Sequence, residues 1–227
     1  MGASAGATIA PLDCIDTLKA RTRIKICGLT RPADAAFAAH AGADAIGLVF
    51  YPPSARNLNI EAAREIAVAA GPFVGRVALF VDPDPALVTA VLADVPIECL
   101  QFHGDESPAF CRQFGRPYLK AARVRPGLDL LEYLAAYNDA SGWLLDTWRD
   151  NEAGGTGEVF DWERIPRALA RPLVLSGGLE EANVGRAIAT VVPWAVDVSS
   201  GVEERPGIKD HGKIERFVHA VRAADAR

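Results

Sequence analysis

The sequence lacks long apolar segments, an excess of basic charge and any clustering of cysteine. No stretch approaches the roughly 18 apolar residues of a membrane-spanning helix, so no membrane partner is expected. The 29 acidic residues outnumber the 24 basic ones, and the net charge of −5 argues against a nucleic-acid partner. The four cysteines show no metal-ligand spacing. We therefore predict no metal site, and a reducing cytoplasm is the expected location.

The start of the chain also lacks the features of a signal peptide. It has neither a basic first segment nor a sustained apolar run, so residues 1–22 are predicted to be a loosely ordered extension. Residues 23–227 contain no linker and no change in composition. Because half of the chain is apolar and 23% is charged, we expect one globular catalytic domain over residues 23–227.

Short β-rich runs alternate with alanine-rich helical stretches along this domain. The strand candidates are 23–27, 45–50, 76–80, 98–102, 118–122, 143–145, 173–175 and 195–198. The helix candidates are 31–41, 60–70, 85–92, 108–114, 128–137, 161–170, 180–190 and 209–224. Apolar rather than alternating strands are typical of a parallel sheet that helices cover on its outer side.

The number of units favours a closed barrel over an open doubly wound sheet. About eight strand–helix units in one domain of this length indicate an α/β fold, a single (β/α)8 TIM barrel. An open sheet usually has fewer strands and a dinucleotide fingerprint after the first. Here the first strand runs into Cys27, Gly28 and Leu29 without a G-x-G-x-x-G pattern, so no nucleotide cofactor is predicted.

Polar residues are concentrated at the carboxyl ends of the predicted strands, where barrels build their active sites. Any one of them could be a cap or a turn residue, but their convergence indicates a site at that face. In chain order they are Lys25, Cys27, Ser54, Arg56, Asp82, Gln101, His103, Arg123, Asp146, Ser176, Asp197 and Ser199.

Glycines follow the last two strands, in the usual position of a barrel phosphate site. Gly177 and Gly178 follow the seventh strand, and Ser199, Ser200 and Gly201 follow the eighth. Each group alone would be explained by a tight turn. Together they predict a phosphate-binding site made mainly by backbone N–H groups, with a short helix starting near Ser200. Another glycine-rich stretch, 154–157, is expected to be a mobile loop over the site.

A set of motifs resembles the phosphoribosylanthranilate isomerase family of tryptophan biosynthesis. The resemblance runs from about residue 24 to 217 and leaves out only peripheral positions, such as Phe102 where an aliphatic residue is expected. The matching motifs are KICGLT at 25–30, GLVF at 47–50, SAR at 54–56, LQFHG at 100–104, LLD at 144–146, GGTG at 154–157, SGGL at 176–179, DVSSGVE at 197–203 and GIKD at 207–210.

The resemblance implies a small phosphosugar substrate and an Amadori rearrangement without cofactor or metal. It implies that Cys27 is the general base and Asp146 the general acid. The base then needs positive surroundings to favour its thiolate, and the acid needs surroundings that hold its proton. Outside this motif, a strand cysteine would be read as an inert buried residue and a lone aspartate as a loop cap.

Two further residues complete the predicted substrate site. Arg56 is expected to pair with the anthranilate carboxylate through its guanidinium, with an exposed loop arginine as the alternative. His103 is expected either to contact substrate or order the acid, or to make structural hydrogen bonds only. The enzyme is expected to be a monomer or a homodimer.

Three other functions remain to be separated from this one. Indole-glycerol-phosphate synthase would need a lysine-rich site and a longer N-terminal segment, and the histidine-pathway aminoaldose isomerase uses two aspartates. A phosphate-binding barrel without catalysis would not need both Cys27 and Asp146.

Strand geometry adds a prediction that does not depend on the resemblance. Because side chains alternate across a strand, Lys25 shares a face with Cys27, and Asp197 shares one with Ser199. The first and last strands are neighbours in a closed barrel. We therefore expect Lys25 and Asp197 to form an ion pair inside it, which places a cation beneath Cys27.

Overall fold

The computed structural model describes residues 21–124, 129–147, 162, 165, 166 and 169–226. Eight parallel strands in sequential order form a closed barrel, which confirms the predicted fold class. They are β1 (Arg23–Cys27), β2 (Ala45–Phe50), β3 (Gly75–Phe80), β4 (Cys99–Phe102), β5 (Tyr118–Val124), β6 (Gly142–Thr147), β7 (Leu173–Ser176) and β8 (Ala195–Val198). The barrel closes between β1 and β8, where Lys25 is in register with Asp197.

Helices follow most strands and pack on the outside of the barrel. The helices are α1 (Pro32–Ala41), α2 (Ile60–Ala69), α3 (Pro85–Asp94), α4 (Pro108–Arg112), α5 (Leu130–Ala135), α6 (Glu181–Val191) and α7 (His211–Asp225). After β8 come a single 3-10 turn, Ser200–Val202, and a small antiparallel hairpin of β9 (Glu203–Arg205) and β10 (Ile208–Lys209). None of the described helices has the length and apolar character needed to cross a membrane.

Side-chain caps define most of the helix starts. Asp84 begins α3 by accepting a hydrogen bond from the Ala86 amide, as its place before Pro85 predicts. At α1 the expected polar cap is absent, because Arg31 occupies the N-cap position and its side chain makes no capping bond. The hydroxyl of Thr30 instead donates to the carbonyl of Gly207, which ties the end of the β1 loop to the β9–β10 hairpin.

The two faces of the strands have different chemistry. Outward-facing residues of the strands join the helices in one large core, which includes an aromatic group around Phe102. Phe102 is fully buried there among Phe80, Phe110 and Tyr118. The phenyl ring that stands where the family resemblance leads one to expect an aliphatic residue therefore packs between the barrel and its helices. Among the inward-facing residues is a small apolar cluster, Ala121, Leu144, Val174 and Ala195. Buried polar side chains, including Lys25, Gln101 and Asp197, also face the interior.

The predicted boundaries agree with the structure to within a few residues where both can be compared. β1, β2 and β8 have the predicted limits, whereas α4 and α5 are shorter than predicted. α5 begins after Asp129, whose side chain accepts from the Glu132 amide. The predicted helix over 161–170 and the glycine-rich loop over 154–157 lie largely or wholly outside the described residues.

The start of the described chain is attached to the barrel. Thr22 is buried, and its amide and hydroxyl both donate to Asp225 at the end of α7. Arg21 pairs with Asp44 in the turn before β2. The predicted loose extension therefore ends by Arg21, and its remaining residues, 1–20, lie outside the described part of the chain.

Candidate active site

The predicted site residues meet at the carboxyl ends of the barrel strands, in two groups. One group surrounds Cys27, the last residue of β1, and includes Arg56 from the loop after β2 and Ser199 after β8. The other group contains Asp146 near the end of β6 and His103 directly after β4. The structure places the two groups at the same mouth of one closed barrel.

A buried ion pair lies below Cys27. The ammonium of Lys25 donates to Asp197 at 2.8 Å, and both side chains are 5% exposed. This confirms the pairing predicted from strand alternation. A charge buried without a partner of opposite sign would cost several kcal/mol, so each of these two side chains stabilises the other inside the barrel. Ser176 from β7 completes the group by donating to Asp197 at 3.4 Å.

Burial controls the protonation of Cys27. Desolvation raises the pKa of its thiol above the ordinary value, and the charge of Lys25, together with a hydrogen bond from it, acts in the opposite direction without cancelling the effect. Lys25 and Lys209 act to lower the pKa of the thiol, as the predicted positive surroundings should, but burial and the neighbouring Asp197 act to raise it, and the net shift is upward. The thiol can pack against β2 because position 47 is glycine: a Cβ there would lie 2.5 Å from Sγ of Cys27.

Arg56 is paired with a carboxylate of the protein. Its Nε and Nη2 donate to Glu203 at 2.7 and 2.6 Å, so it is not the exposed loop arginine of the alternative reading. Glu203 also accepts from the buried ammonium of Lys209 at 2.9 Å. Neither Glu203 nor Lys209 was predicted to be a site residue, although both lie in motifs of the family resemblance. The feature that could have indicated their pairing is that two opposite charges lie on either side of a short turn after the last barrel strand.

The charges around Cys27 sum to a local excess of positive charge. Lys25, Arg56 and Lys209 carry three positive charges against the two carboxylates of Asp197 and Glu203. Burial lowers the pKa of Lys209, although the neighbouring Glu203 acts to raise it. The net charge of the whole chain is −5, so the surroundings of Cys27 are positive against the overall field, as an anionic substrate requires.

The second group aligns three side chains. Nε2 of His103 lies 3.1 Å from Oδ2 of Asp146, and Nδ1 of His103 lies 3.0 Å from the side-chain amide of Gln101. His103 thus contacts Asp146, the residue predicted to be the general acid. Gln101 is fully buried, and its Oε1 has no hydrogen-bond partner among the described residues. Through its contact with Nδ1, the buried side chain of Gln101 holds the imidazole ring in this orientation.

A second buried ion pair supports the loop that carries His103. Lys120 on β5 donates to Glu106 at 2.7 Å and to the carbonyl of Gly104 at 2.6 Å, and the Lys120 side chain is fully buried. Glu106 in turn accepts from the amides of Asp82 and Gly104. Asp82 therefore joins the loops after β3 and β4. Lys120 lies between apolar residues of β5, a strand that also carries Arg123, and this position was the available sequence signal for the pair.

The loops that follow β7 and β8 are in direct contact. Gly177 and Gly178 have φ values of 90° and 62°, which is the left-handed region that favours glycine. A side chain at Gly201 would collide with the carbonyl of Leu179 in the loop after β7. The turn Ser200–Val202 is the short helix predicted near Ser200, and it has only three residues. The five predicted phosphate-site residues thus form one continuous surface.

Fold and geometry together define a class of protein: a (β/α)8-barrel enzyme with a thiol, a histidine-bound carboxylate and a glycine-lined pair of loops at the carboxyl ends of its strands. Comparison with known proteins identifies the family within that class. The family model "N-(5'phosphoribosyl)anthranilate (PRA) isomerase" matches residues 24–220. This chain belongs to the N-(5'-phosphoribosyl)anthranilate isomerase family.

Individual relatives agree with this assignment. The chain is 54% identical over 204 residues to N-(5'-phosphoribosyl)anthranilate isomerase from Cellvibrio japonicus, covering 90% of this chain and 95% of that protein. The protein of the same name from Dechloromonas aromatica is 57% identical over 205 residues, 90% of this chain and 98% of that one.

Solved structures of the family have the same fold. Phosphoribosyl anthranilate isomerase from Thermotoga maritima matches with a TM-score of 0.81 and 44% identity over 89% of this chain and 99% of that one. A crystal structure of phosphoribosyl anthranilate isomerase in complex with reduced 1-(o-carboxyphenylamino)-1-deoxyribulose 5-phosphate matches with a TM-score of 0.77 and 40% identity. That match covers 89% of this chain and 99% of the other.

Proposed function

We propose that Cys27 is the general base and Asp146 the general acid of the isomerisation for which the family is named. The observation that supports both roles is their position at the carboxyl ends of β1 and β6, at the same mouth of one closed barrel. The chain is an isomerase of tryptophan biosynthesis. It converts N-(5-phosphoribosyl)anthranilate to 1-(2-carboxyphenylamino)-1-deoxyribulose 5-phosphate by an Amadori rearrangement.

The reaction needs one proton donor and one proton acceptor. Asp146 gives its proton to the furanose ring oxygen, the C1–O bond breaks, and the anthranilate nitrogen supplies the electron pair that forms an iminium cation. Cys27 as thiolate then removes the proton from C2, which gives an enolamine. Tautomerisation of the enolamine yields the ketone with no net gain or loss of atoms. Positioned acids and bases typically contribute about 10²–10⁴-fold each.

His103 and Lys25 assist these two groups. His103, at 3.1 Å from Asp146, orders the acid and exchanges the proton that Asp146 must regain after each turnover. Lys25 is hydrogen-bonded to Cys27 and acts to lower the pKa of its thiol. It therefore stabilises the thiolate whenever the thiolate forms. Because burial raises that pKa, the reactive form is a minority species in the free enzyme at neutral pH.

The two anionic ends of the substrate have separate partners. Arg56 pairs with the anthranilate carboxylate, and the glycine-lined loops hold the phosphate through Gly177, Gly178, Ser199, Ser200 and Gly201. The local excess of positive charge around Cys27 supports this arrangement. A cytoplasmic location and a monomeric or homodimeric state remain predictions from the sequence.

Growth of a tryptophan auxotroph tests this function most directly. The gene should restore growth of a strain that lacks this isomerase, and Cys27→Ala and Asp146→Ala variants expressed at the same level should not. Failure of the unaltered gene to support growth, with soluble protein present, would contradict the proposed function.

A further inference from the structure

One carboxylate fixes the orientation of Arg56. Glu203 accepts from Nε and Nη2 of Arg56 at 2.7 and 2.6 Å, which is the side-on geometry of a bidentate pair. Five N–H donors are available on a guanidinium, and this pairing engages two of its three nitrogens along one edge. The edge formed by Nη1 and Nη2 is left for a second carboxylate.

Glu203 cannot turn together with Arg56, because it is held from the opposite side. Its Oε1 accepts from the ammonium of Lys209 at 2.9 Å and from the amide of Gly207 at 3.3 Å. The Lys209 side chain is fully buried, and its ammonium also donates to the carbonyl of Ser199 at 3.0 Å. The carboxylate of Glu203 is therefore fixed to the same loop that carries the predicted phosphate site.

The side chain of Arg56 passes directly over the turn that follows Cys27. A Cβ at Gly28 would collide with Cδ of Arg56, and the φ of 72° at Gly28 is in the region that favours glycine. The orientation that Glu203 imposes thus keeps Arg56 beside the turn that follows Cys27, and the hydrogen bond with Glu203 raises the pKa of the guanidinium.

We propose that Glu203 is a positioning residue that aims Arg56 at the carboxylate of the substrate. It occupies the Nε edge of the guanidinium and presents the Nη1–Nη2 edge to the ligand. Lys209 keeps Glu203 ionised and in place. One carboxylate between two cations leaves one positive charge, which the carboxylate of the ligand neutralises. This inference rests on the proposed role of Arg56 in substrate binding.

A pair of ligands that differ only in the carboxylate tests the inference. The first is reduced 1-(o-carboxyphenylamino)-1-deoxyribulose 5-phosphate, and the second is its phenylamino counterpart without the carboxylate. In Glu203→Gln we expect the Kd of the first ligand to rise about 3- to 10-fold, because the guanidinium must then be ordered on binding. The Kd of the second ligand should stay within about twofold of that of the unaltered enzyme. Substrate KM should rise with little change in kcat.

Three variants provide the controls. Glu204→Gln removes the same charge at the exposed neighbouring position and should change neither Kd. In an Arg56→Ala background, Glu203→Gln should have no further effect on the first ligand. Glu203→Asp keeps the charge that Lys209 needs for folding but shortens the side chain. It should show the same ligand selectivity with a smaller change, and it replaces Glu203→Gln if that variant does not fold.

Different failures have different meanings. Equal weakening of both ligands by Glu203→Gln, or unchanged affinity for both, would overturn the positioning role while leaving Arg56 as the clamp. If Arg56→Ala itself leaves the affinity for the carboxylated ligand unchanged, the clamp is wrong, and the inference about Glu203 is wrong with it.

Discussion

The two sides of the barrel mouth differ in how their reactive groups are held. Cys27 is 5% exposed and lies within a network of five charged side chains from β1, the loop after β2, β8 and the β9–β10 hairpin. The side chain of Asp146 is 30% exposed and contacts the imidazole of His103. Cys27 is thus buried among charged side chains, whereas Asp146 is partly exposed to solvent.

This difference indicates that the two groups proposed to transfer protons are controlled by different means. At the proposed base, desolvation raises the pKa of the thiol and fixed cations oppose that shift. At the proposed acid, contact with the imidazole of His103 and with solvent would allow a proton to be exchanged. The base side is therefore expected to be sensitive to the loss of any one charge, and the acid side mainly to the loss of His103.

The largest expected effect is the loss of either proton-transfer group. Cys27→Ala and Asp146→Ala should each lower kcat by about 10²–10⁴-fold while the circular dichroism spectrum remains unchanged. Cys99→Ala is the matched control, because Cys99 begins β4 and has no proposed role. Turnover close to that of the unaltered enzyme in either variant would remove that residue from its role.

The second prediction compares the two sides by stability. Lys25→Met leaves Asp197 as a buried charge without its partner and should lower the free energy of unfolding by about 3–5 kcal/mol. His103→Asn on the acid side should cost only about 1 kcal/mol, since the site there is partly exposed. Urea denaturation measures both values. Because Lys25→Met with Asp197→Leu removes both charges, the double variant should regain most of the lost stability. A double variant as unstable as the single one would argue against the pair as the cause.

The third prediction concerns the glycine-lined loops on the base side. Gly178→Val forces a β-branched residue into a left-handed conformation and should weaken the binding of inorganic phosphate by about 1–3 kcal/mol. Ser199→Ala removes one hydroxyl and should cost about 0.5–1.5 kcal/mol. Titration calorimetry with phosphate measures both. The reverse order of effects would indicate that side chains rather than the main chain bind the anion.

The last prediction isolates the pH dependence of the base. In an Asp146→Ala variant no catalytic acid titrates, and burial raises the pKa of the Cys27 thiol, so the residual kcat/KM should increase as the pH rises. Below that pKa the increase should be about tenfold per pH unit, with no plateau before about pH 8.5, the ordinary pKa of a thiol. A profile of this variant that is flat between pH 6 and 8 would mean that substrate binding removes the desolvation effect before the proton is transferred.

Much of this molecule could be predicted from local sequence patterns. Short apolar strands alternate with helices that have recognisable starts, such as Asp84 before Pro85, and this pattern predicted eight parallel strands. Alternation of side chains across β1 and β8 predicted the Lys25–Asp197 pair, because barrel closure makes those strands neighbours. The absence of a side-chain cap at Arg31 could not be predicted in this way, because Thr30 donates instead to Gly207, 177 residues further along the chain.

The sequence by itself determined the (β/α)8 fold, the face that carries the site and the residue types gathered there, because those follow from periodicity and strand direction. Only the tertiary structure decided that Arg56 faces Glu203 rather than solvent, that Lys209 is buried behind it, and that burial outweighs Lys25 at Cys27. Each of these depends on distances between atoms far apart in the chain. Both Coulomb attraction and the cost of desolvation are set by those distances and by the exclusion of water.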